Sequence, residues 1–434
     1  MKKIILLILL LPFFCISQVQ IGQDIDGEAP GDLSGMAVSL SSNGTIVAIG
    51  AGRNDDNGTD SGHVRVYENQ SGIWTQLGQD IDGEAIDDQS GVSVSLSADG
   101  TIVAISDFLN DDNGDASGQV RVFENIGGTW TQIGQDINGE GEGDWSGFPL
   151  SLSSDGNIVA IGARFNDGSN GMFSGHVRVY ENIGGTWLQI GNDIDGEAEF
   201  DGAGQSVSLS SDGTIVAVGA TGNDGNGSNS GHVRIFENIG GTWTQIGNDI
   251  EGETAINQLG LSVSLSGDGN IVAIGANGDG GNGPNSGLVH IFQNQLGDWV
   301  QIGNSIGGEA EDDSSGLSIS LSEDAAVIAI GAPGNDGNGA FSGHVRVYDT
   351  SAVLSTTDNT ISKFRLYPNP ATNQLTIKLS NRLELENIII YNSLGQFVSS
   401  TTQKIIDTSN FSSGTYFVEV ITNEGKTTNK LILK

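Results

Sequence analysis

The chain reads as short apolar segments of four kinds. Runs such as TIVAIGA (45–51) are apolar at nearly every position, which suits a strand covered on both faces. SVSLS (93–97) alternates strictly, HVRVYEN (63–69) is rich in valine and aromatics, and WTQLGQDI (74–81) opens on tryptophan. None has convincing helical periodicity. The four recur in fixed order six times, in units anchored at Gly35, Gly91, Gly147, Gly204, Gly260 and Gly316. Repetition of this kind decides the fold class before any other feature.

Turn chemistry marks the boundaries. The first two segments are joined by Asn43-Gly44, Asp99-Gly100, Asp155-Gly156, Asp212-Gly213 and Asp268-Gly269, pairs that accept the positive φ of a tight hairpin. The sixth copy has Asp324-Ala325, so its turn is expected to differ. Four antiparallel strands repeated six times predict an all-β chain with a six-bladed β-propeller over 18–349. The last copy stops at HVRVYD (344–349) without a tryptophan strand, while VQIGQDIDGEA (19–29) begins the chain with that strand and no unit before it. Residues 19–25 are therefore expected to pair with 344–349, so that the N-terminal strand closes the ring. An open β-solenoid of stacked repeats is the alternative, and the complementary half-units argue against it.

The flanks differ in kind. Residues 1–17, with Lys2 and Lys3 before an apolar run and Cys15 and Ser17 near its end, read as a secretory signal peptide. The run is too short to span a bilayer, so no transmembrane segment is expected. Cys15 leaves with the signal, and the mature fold has no disulfide staple. Residues 350–362 read as a linker, and 363–434 as a small Ig-like β-sandwich.

Charge divides the chain as sharply as pattern does. The formal net charge is −37; residues 18–354 hold 48 Asp plus Glu against seven Arg, a balance of −41, whereas 355–434 hold six acids and eight bases. Such a balance argues against nucleic acid or an anionic membrane as partner and favours cations and basic surfaces. In an antiparallel blade the second-to-third loop and the blade-to-blade loop open on one side. These loops hold 11 and 25 acids, so 36 of the 48 should decorate one face. Calcium would neutralise them with oxygen ligands. The candidates are Asp55, Asp56, Asn57 and Asp60 in the first copy and Asn110, Asp111, Asp112, Asn113 and Asp115 in the second, thinning later to Asp167, Asp224, Asp279 and Asp336. The same residue types also suit plain solvated turns.

Other residues recur at fixed slots. Glu28, Glu84, Glu140, Glu197, Glu253 and Glu309 are placed to accept backbone N–H groups or to pair with Arg65, Arg121, Arg178, Arg234 and Arg346 of the third strand. His63, His176, His232 and His344 share one slot and His290 stands two residues further on; Trp74, Trp130, Trp187, Trp243 and Trp299 should pack between blades. A catalytic group should be singular among its partners, and none of these is, so no enzyme activity is expected.

GxSVSLSxDGTIVAIGA followed by SGHVRVYEN resembles the FG-GAP class of propeller repeat, over residues 18–350. Many such repeats carry a D-x-D-x-D-G calcium loop between the first two strands, where this chain has only a tight turn. The C-terminal segment resembles the type A sorting domain of the type IX secretion system of Bacteroidetes, on Tyr367-Pro368-Asn369-Pro370, Ser393-Leu394-Gly395, Gly414-Thr415-Tyr416 and the closing Lys430 to Lys434. That resemblance implies recognition by the secretion machinery, passage across the outer membrane of a Gram-negative cell, and release or surface anchoring of the repeats. The expectation is a secreted or cell-surface, non-catalytic binding or adhesion propeller for an unknown glycan or protein ligand. A structural coat protein, or a polysaccharide-active enzyme, is the alternative.

Overall fold

The computed structural model describes residues 20–278, 282–337, 339, 341–351, 364–379, 385–392, 396–422 and 425–434. The expected signal peptide (1–17), Asp279, nearly all of the expected linker and Ser393-Leu394-Gly395 lie outside the described residues. Every named element is a β-strand.

The four apolar segments become the four strands of one sheet. In the first repeat Ala37–Leu40, Ile46–Ala51, His63–Asn69 and Trp74–Gln76 pair antiparallel in that order, and Ile81–Asp82 returns to pair with His63 and Val64. Four further repeats copy this five-stranded sheet, and the sixth has three strands, Ser318–Leu321, Val327–Ala332 and His344–Asp349. Neighbouring sheets pack face to face. Ala160, Val177 and Val179 of the third repeat, for example, share a core with Val207, Leu209 and Val216 of the fourth. That packing explains why the second strand is apolar throughout: both of its faces are covered.

The sheets fan about their first turns. Successive turns are linked by backbone hydrogen bonds from Ser42 N to Ala98 O, Ala98 N to Ser154 O, Ser154 N to Ser211 O, Ser211 N to Gly267 O and Gly267 N to Glu323 O, each 2.8 or 2.9 Å. Strands joined this way stand about 4.8 Å apart, whereas packed sheets stand about 10 Å apart. The repeats must therefore diverge outward from the turns, as in a propeller. The Ser211 hydroxyl even donates to the Glu323 carboxylate two repeats away at 3.1 Å, passing over Gly267, whose added Cβ would fall 2.3 Å from Glu323 Cγ. Close packing also demands glycine where neighbouring repeats touch: a Cβ on Gly50 would lie 1.8 Å from Gly91 O, and one on anchor Gly91 2.6 Å from His63 O.

Two expectations need correction. Residues 20–36 form no strand, and His344–Asp349 pairs with Val327–Ala332 alone among the described residues. The ring is thus not closed by the N-terminal strand: Val345 and Val347 are 68% and 55% exposed at one end, and Val38 and Leu40 are 64% and 59% exposed at the other. The reason lies in what each connector does. Residues 77–82 accept the next repeat's Trp130 Nε1 and Arg121 Nη2 on Leu77 O and Asp82 O, and also pair backward with their own third strand. The N-terminal segment makes the forward contacts only, accepting Trp74 Nε1 on Ile21 O and Arg65 Nη2 on Asp26 O, each at 2.8 Å. The second correction concerns Asp324-Ala325. Ala325 adopts φ 57°, close to 67° at Gly44, and its N–H bonds to Ser322 O as that of Gly44 bonds to Ser41 O. The aspartate holds the turn by accepting from Ala326 N and Ser322 Oγ, so the alanine is carried into the left-handed region.

In the C-terminal part, Phe364–Tyr367, Gln374–Leu379 and Ile405–Asp407 form one antiparallel sheet, and Leu385–Asn392, Phe397–Thr401, Gly414–Thr422 and Gly425–Leu433 another. Leu375, Ile377, Ile388, Ile390, Val418 and Val420 share one buried core.

Candidate functional site on the acidic loop edge

Backbone bonds zip the two acidic loop classes together. Gly62 bridges Ser90, Asp87 N donates to Thr59 O and Ser90 N to Ser61 O, and Gly83 N donates to Gly62 O. The second-to-third loop and the following connector therefore share one edge of the sheet, as the topology requires.

Within these loops most of the candidate calcium ligands hold the loop itself. Asp55 accepts from Asp60 N at 2.8 Å, Asn57 donates to Gly83 O at 2.7 Å, and Asp56 N donates to Asn54. In the second copy Asp111 accepts from Ala116 N, Asp112 N donates to Asn110, Asn113 donates to Gly139 O, and buried Asn110 donates to Asp88. The carbonyl of Asp115 accepts from Gly143 N. Asp167, Asp224 and Asp336 repeat the role of Asp55, accepting from Phe173 N, Asn229 N and Phe341 N. The one acid kept in every described copy is thus the one that closes the turn. Side chains of Asp55, Asp56, Asp111, Asp112 and Asp115 remain exposed.

The repeated glutamate meets the repeated arginine as expected, with Glu28–Arg65 at 3.3 Å, Glu84–Arg121 at 3.9 Å, Glu140–Arg178 at 3.6 Å, Glu197–Arg234 at 3.5 Å and Glu309–Arg346 at 3.7 Å. The other glutamate oxygen faces the repeated histidine, 3.8 Å from His63 Nδ1 and 4.0 Å from His232 Nδ1. An aspartate that sequence reasoning did not connect to either completes the group. Glu28, Asp56, His63 and Asp80 converge in the first repeat, Glu140, His176 and Asp193 in the third, Glu197, His232 and Asp249 in the fourth, with donor atoms within 4.8 Å of one another. Such groups could hold a metal ion. The missed signal was the Gln-x-Gly-x-Asp spacing, in which Gln132 donates to Asp136 at 2.6 Å and Gln189 to Asp193 at 2.6 Å. Burial, then the neighbouring arginine, lowers His176 and His232 to about 4, so both are neutral at pH 7. Burial also raises Glu140.

The second and fifth repeats depart from this pattern. Gln119 takes the histidine slot and donates to Glu84 at 3.0 Å, while Arg121 is held by fully buried Asp107 at 2.6 and 3.1 Å. In the fifth repeat Ser305 replaces the aspartate and lies 2.9 Å from His290 Nδ1.

One feature of the edge is singular. Phe108, Trp145, Phe165, Phe173 and Phe200 form a ladder of edge-on rings with centroids 4.7 to 6.0 Å apart, running from the second repeat into the fourth. Arg164 lies 4.5 Å from the Phe165 ring centroid, and burial lowers its pKa. Phe173 and Phe200 are 39% and 51% exposed. Sequence reasoning missed the ladder, although its signal was legible: Phe165 stands where the other copies have Arg53, Leu109, Gly222, Gly278 and Gly334. The repeated tryptophans, in contrast, lie between repeats, with Trp187 Nε1 donating to Ile133 O and its ring 2% exposed.

In the C-terminal part Asn369 clamps the last strand, donating to Lys430 O and accepting from Ile432 N. Tyr367, Pro368, Pro370, Gly414 and Lys434 are exposed, and buried Tyr416 donates to Ser412 O; Gly395 lies outside the described residues. Residues 365–434 match the secretion system C-terminal sorting domain, and residues 254–292 match the FG-GAP repeat. The chain thus carries an FG-GAP repeat and a type IX C-terminal sorting domain. No curated protein matches it. Solved structures similar to this chain include hydrazine synthase of Kuenenia stuttgartiensis, with 14% identity, 73% of this chain and 83% of that chain covered, and TM-score 0.47. A putative 6-phosphogluconolactonase from Bacteroides uniformis shares 12% identity over 73% and 80%, with TM-score 0.49. A periplasmic gluconolactonase of Pseudomonas aeruginosa shares 15% over 72% and 80%, with TM-score 0.48. The sorting tail implies recognition by the type IX machinery and export to the cell surface or beyond.

Proposed function

We propose that the repeat domain is a secreted or surface-displayed, non-catalytic binding or adhesion module whose ligand docks on the acidic loop edge. The aromatic ladder carries this reading. It gathers two exposed apolar rings, Phe173 and Phe200, among carboxylates, whereas Phe341, 79% exposed in the slot of Phe173 in the sixth repeat, stands outside the ladder. An extracellular glycan fits that mixture, stacking C–H faces on rings while hydroxyls reach carboxylates. Calcium enters at the exposed carboxylates of Asp55, Asp56, Asp111, Asp112 and Asp115. The absence of catalysis is supported by repetition, because the described histidine and glutamate groups recur from copy to copy.

The test is glycan-array and cell-adhesion binding by the purified protein and by a Phe173→Ala/Phe200→Ala variant, with and without chelator. Binding that is lost in the variant supports the ladder. Unchanged binding refutes it, binding indifferent to chelator refutes the calcium component, and turnover of a bound polysaccharide refutes the non-catalytic reading.

In this reading the six repeats are the blades of one monomeric propeller, whose two open ends are complementary halves of one repeat–repeat junction. A structural coat component is the second reading, favoured by the same ends, since a second copy could supply the missing half. Light scattering separates them: a monomer at all concentrations fits the binding module, and concentration-dependent chains fit the coat.

A further inference from the structure

The histidine slots hold a peculiarity that the loop-edge reading does not use. His63 and His232 are 1% and 0% exposed, and their Nδ1 atoms, which face the carboxylates, have no hydrogen-bond partner; His232 Nε2 has none either. A buried imidazole nitrogen without a partner forfeits the hydrogen bonds it had in water, which is costly unless something else satisfies it. The unpartnered Nδ1 of His232 is aimed at two carboxylates, 4.0 Å from Glu197 Oε2 and 3.9 Å from Asp249 Oδ2, and that of His63 at one, 3.8 Å from Glu28 Oε2. In the third repeat His176 Nδ1 lies 3.9 Å from Glu140 Oε2, and the nitrogen without a partner is Nε2.

We propose that the Glu28–Asp56–His63–Asp80, Glu140–His176–Asp193 and Glu197–His232–Asp249 groups each bind a divalent transition-metal ion of the zinc class. One imidazole and two or three carboxylates form a mixed nitrogen and oxygen donor set. Calcium and magnesium take oxygen ligands, whereas zinc and its neighbours accept neutral imidazole beside carboxylate. A tetrahedral ion with bonds of about 2.0 to 2.2 Å holds its donors about 3.3 to 3.6 Å apart, so the pairs at 3.8 to 4.0 Å need to contract by roughly half an ångström and any pair at the 4.8 Å limit by more than one ångström. The adjacent arginine is accommodated because each glutamate divides its oxygens. Oε1 of Glu28 faces Arg65 at 3.3 Å and Oε2 faces the imidazole. In the first repeat three carboxylates against one guanidinium leave a formal −2 for the ion, and Asp56 adds a fourth donor, so this site binds most tightly.

The chain contains its own controls. In the second repeat Gln119 fills the histidine slot, fully buried, and the sheet is formed as elsewhere. A His→Gln change in the other repeats thus copies a side chain the fold already accepts. The inference stands apart from glycan binding, and its test reads metal content alone.

Untagged protein is stripped with chelator, loaded with Zn²⁺, gel-filtered in millimolar calcium and analysed for bound zinc; Co²⁺ loading reports ligation through its visible absorption. The expected result is that the H63Q/H176Q/H232Q variant binds three fewer ions per chain than the parent, with its Co²⁺ absorption reduced in proportion, and that H63Q alone binds one fewer. Equal zinc content in parent and triple variant, or displacement of all zinc by calcium, overturns the proposal. Should the triple variant fail to fold, D80N/D193N/D249N, whose side chains are partly exposed, replaces it and must cut the zinc content or the Co²⁺ absorption by the same criterion.

Discussion

Replacing either member of the Arg121–Asp107 pair should have unequal consequences. Both are buried, at 4% and 0% exposure, and joined by two hydrogen bonds. Arg121→Met leaves Asp107 with only Gln119 Nε2 at 3.5 Å in a site closed to water, and stranding a buried charge typically costs about 3–5 kcal/mol. Asp107→Ala leaves Arg121 with Asp82 O at 3.0 Å, Ser90 Oγ at 3.2 Å and Glu84 at 3.9 Å. Alanine occupies this slot in the five other repeats, at Ala51, Ala163, Ala220, Ala276 and Ala332, so the cavity is small and the cost should be about 1–2 kcal/mol. The double variant should recover much of the arginine deficit, giving a coupling of about 2 kcal/mol. Urea denaturation at pH 7, followed by tryptophan fluorescence and far-ultraviolet circular dichroism, measures all three. If Asp107→Ala costs as much as Arg121→Met, the repeats are not interchangeable at this slot and the reasoning fails.

Asp88→Asn should stabilise the protein at pH 7.5 and have little effect at pH 4. Burial raises the Asp88 carboxyl to about 6, so the folded state holds its proton longer than the unfolded state and this residue drains stability as pH rises from about 4 to 6; Asn257 fills the equivalent slot in the fifth repeat. Denaturation midpoints at the two pH values check the sign. Trp187→Ala, at 2% exposure and with its Nε1 bond to Ile133 O, should cost about 3–5 kcal/mol, and half-buried Trp74→Ala less; equal losses would show that burial is not the determinant. Asn369→Ala should loosen the last strand of the sorting domain by about 1–3 kcal/mol, seen as faster amide exchange at Lys430 and Ile432 and reduced export in a secreting host.

Period and turn residues made the sheets legible in the chain itself. TIVAIGA could only be a doubly covered strand, and the glutamate–arginine pairing followed from two residues keeping one spacing. What escaped was of two sorts. The Glu–His–Asp groups join three segments that meet only when a sheet folds back on itself, and the Gln-x-Gly-x-Asp spacing marks the aspartate of one segment without naming the partners it will meet. The aromatic ladder consists of single departures from a repeat, which averaging over copies hides. Candidate ligands such as Asn57 and Asn113 tie their loops to the next connector, a role the sequence does not announce, because a side chain that ties a loop and one that waits for an ion are the same residue type.

The N-terminal segment carries Asp24, held by Gln20 at 2.7 Å just as Gln132 holds Asp136. At the far end Glu309 and His344, 3.8 Å apart, have no third donor among the described residues. By register Asp24 is the missing one. A circular molecule would therefore bind one zinc more than a linear one, and Asp24→Asn would take that ion away, so elemental stoichiometry would report the topology of the polypeptide.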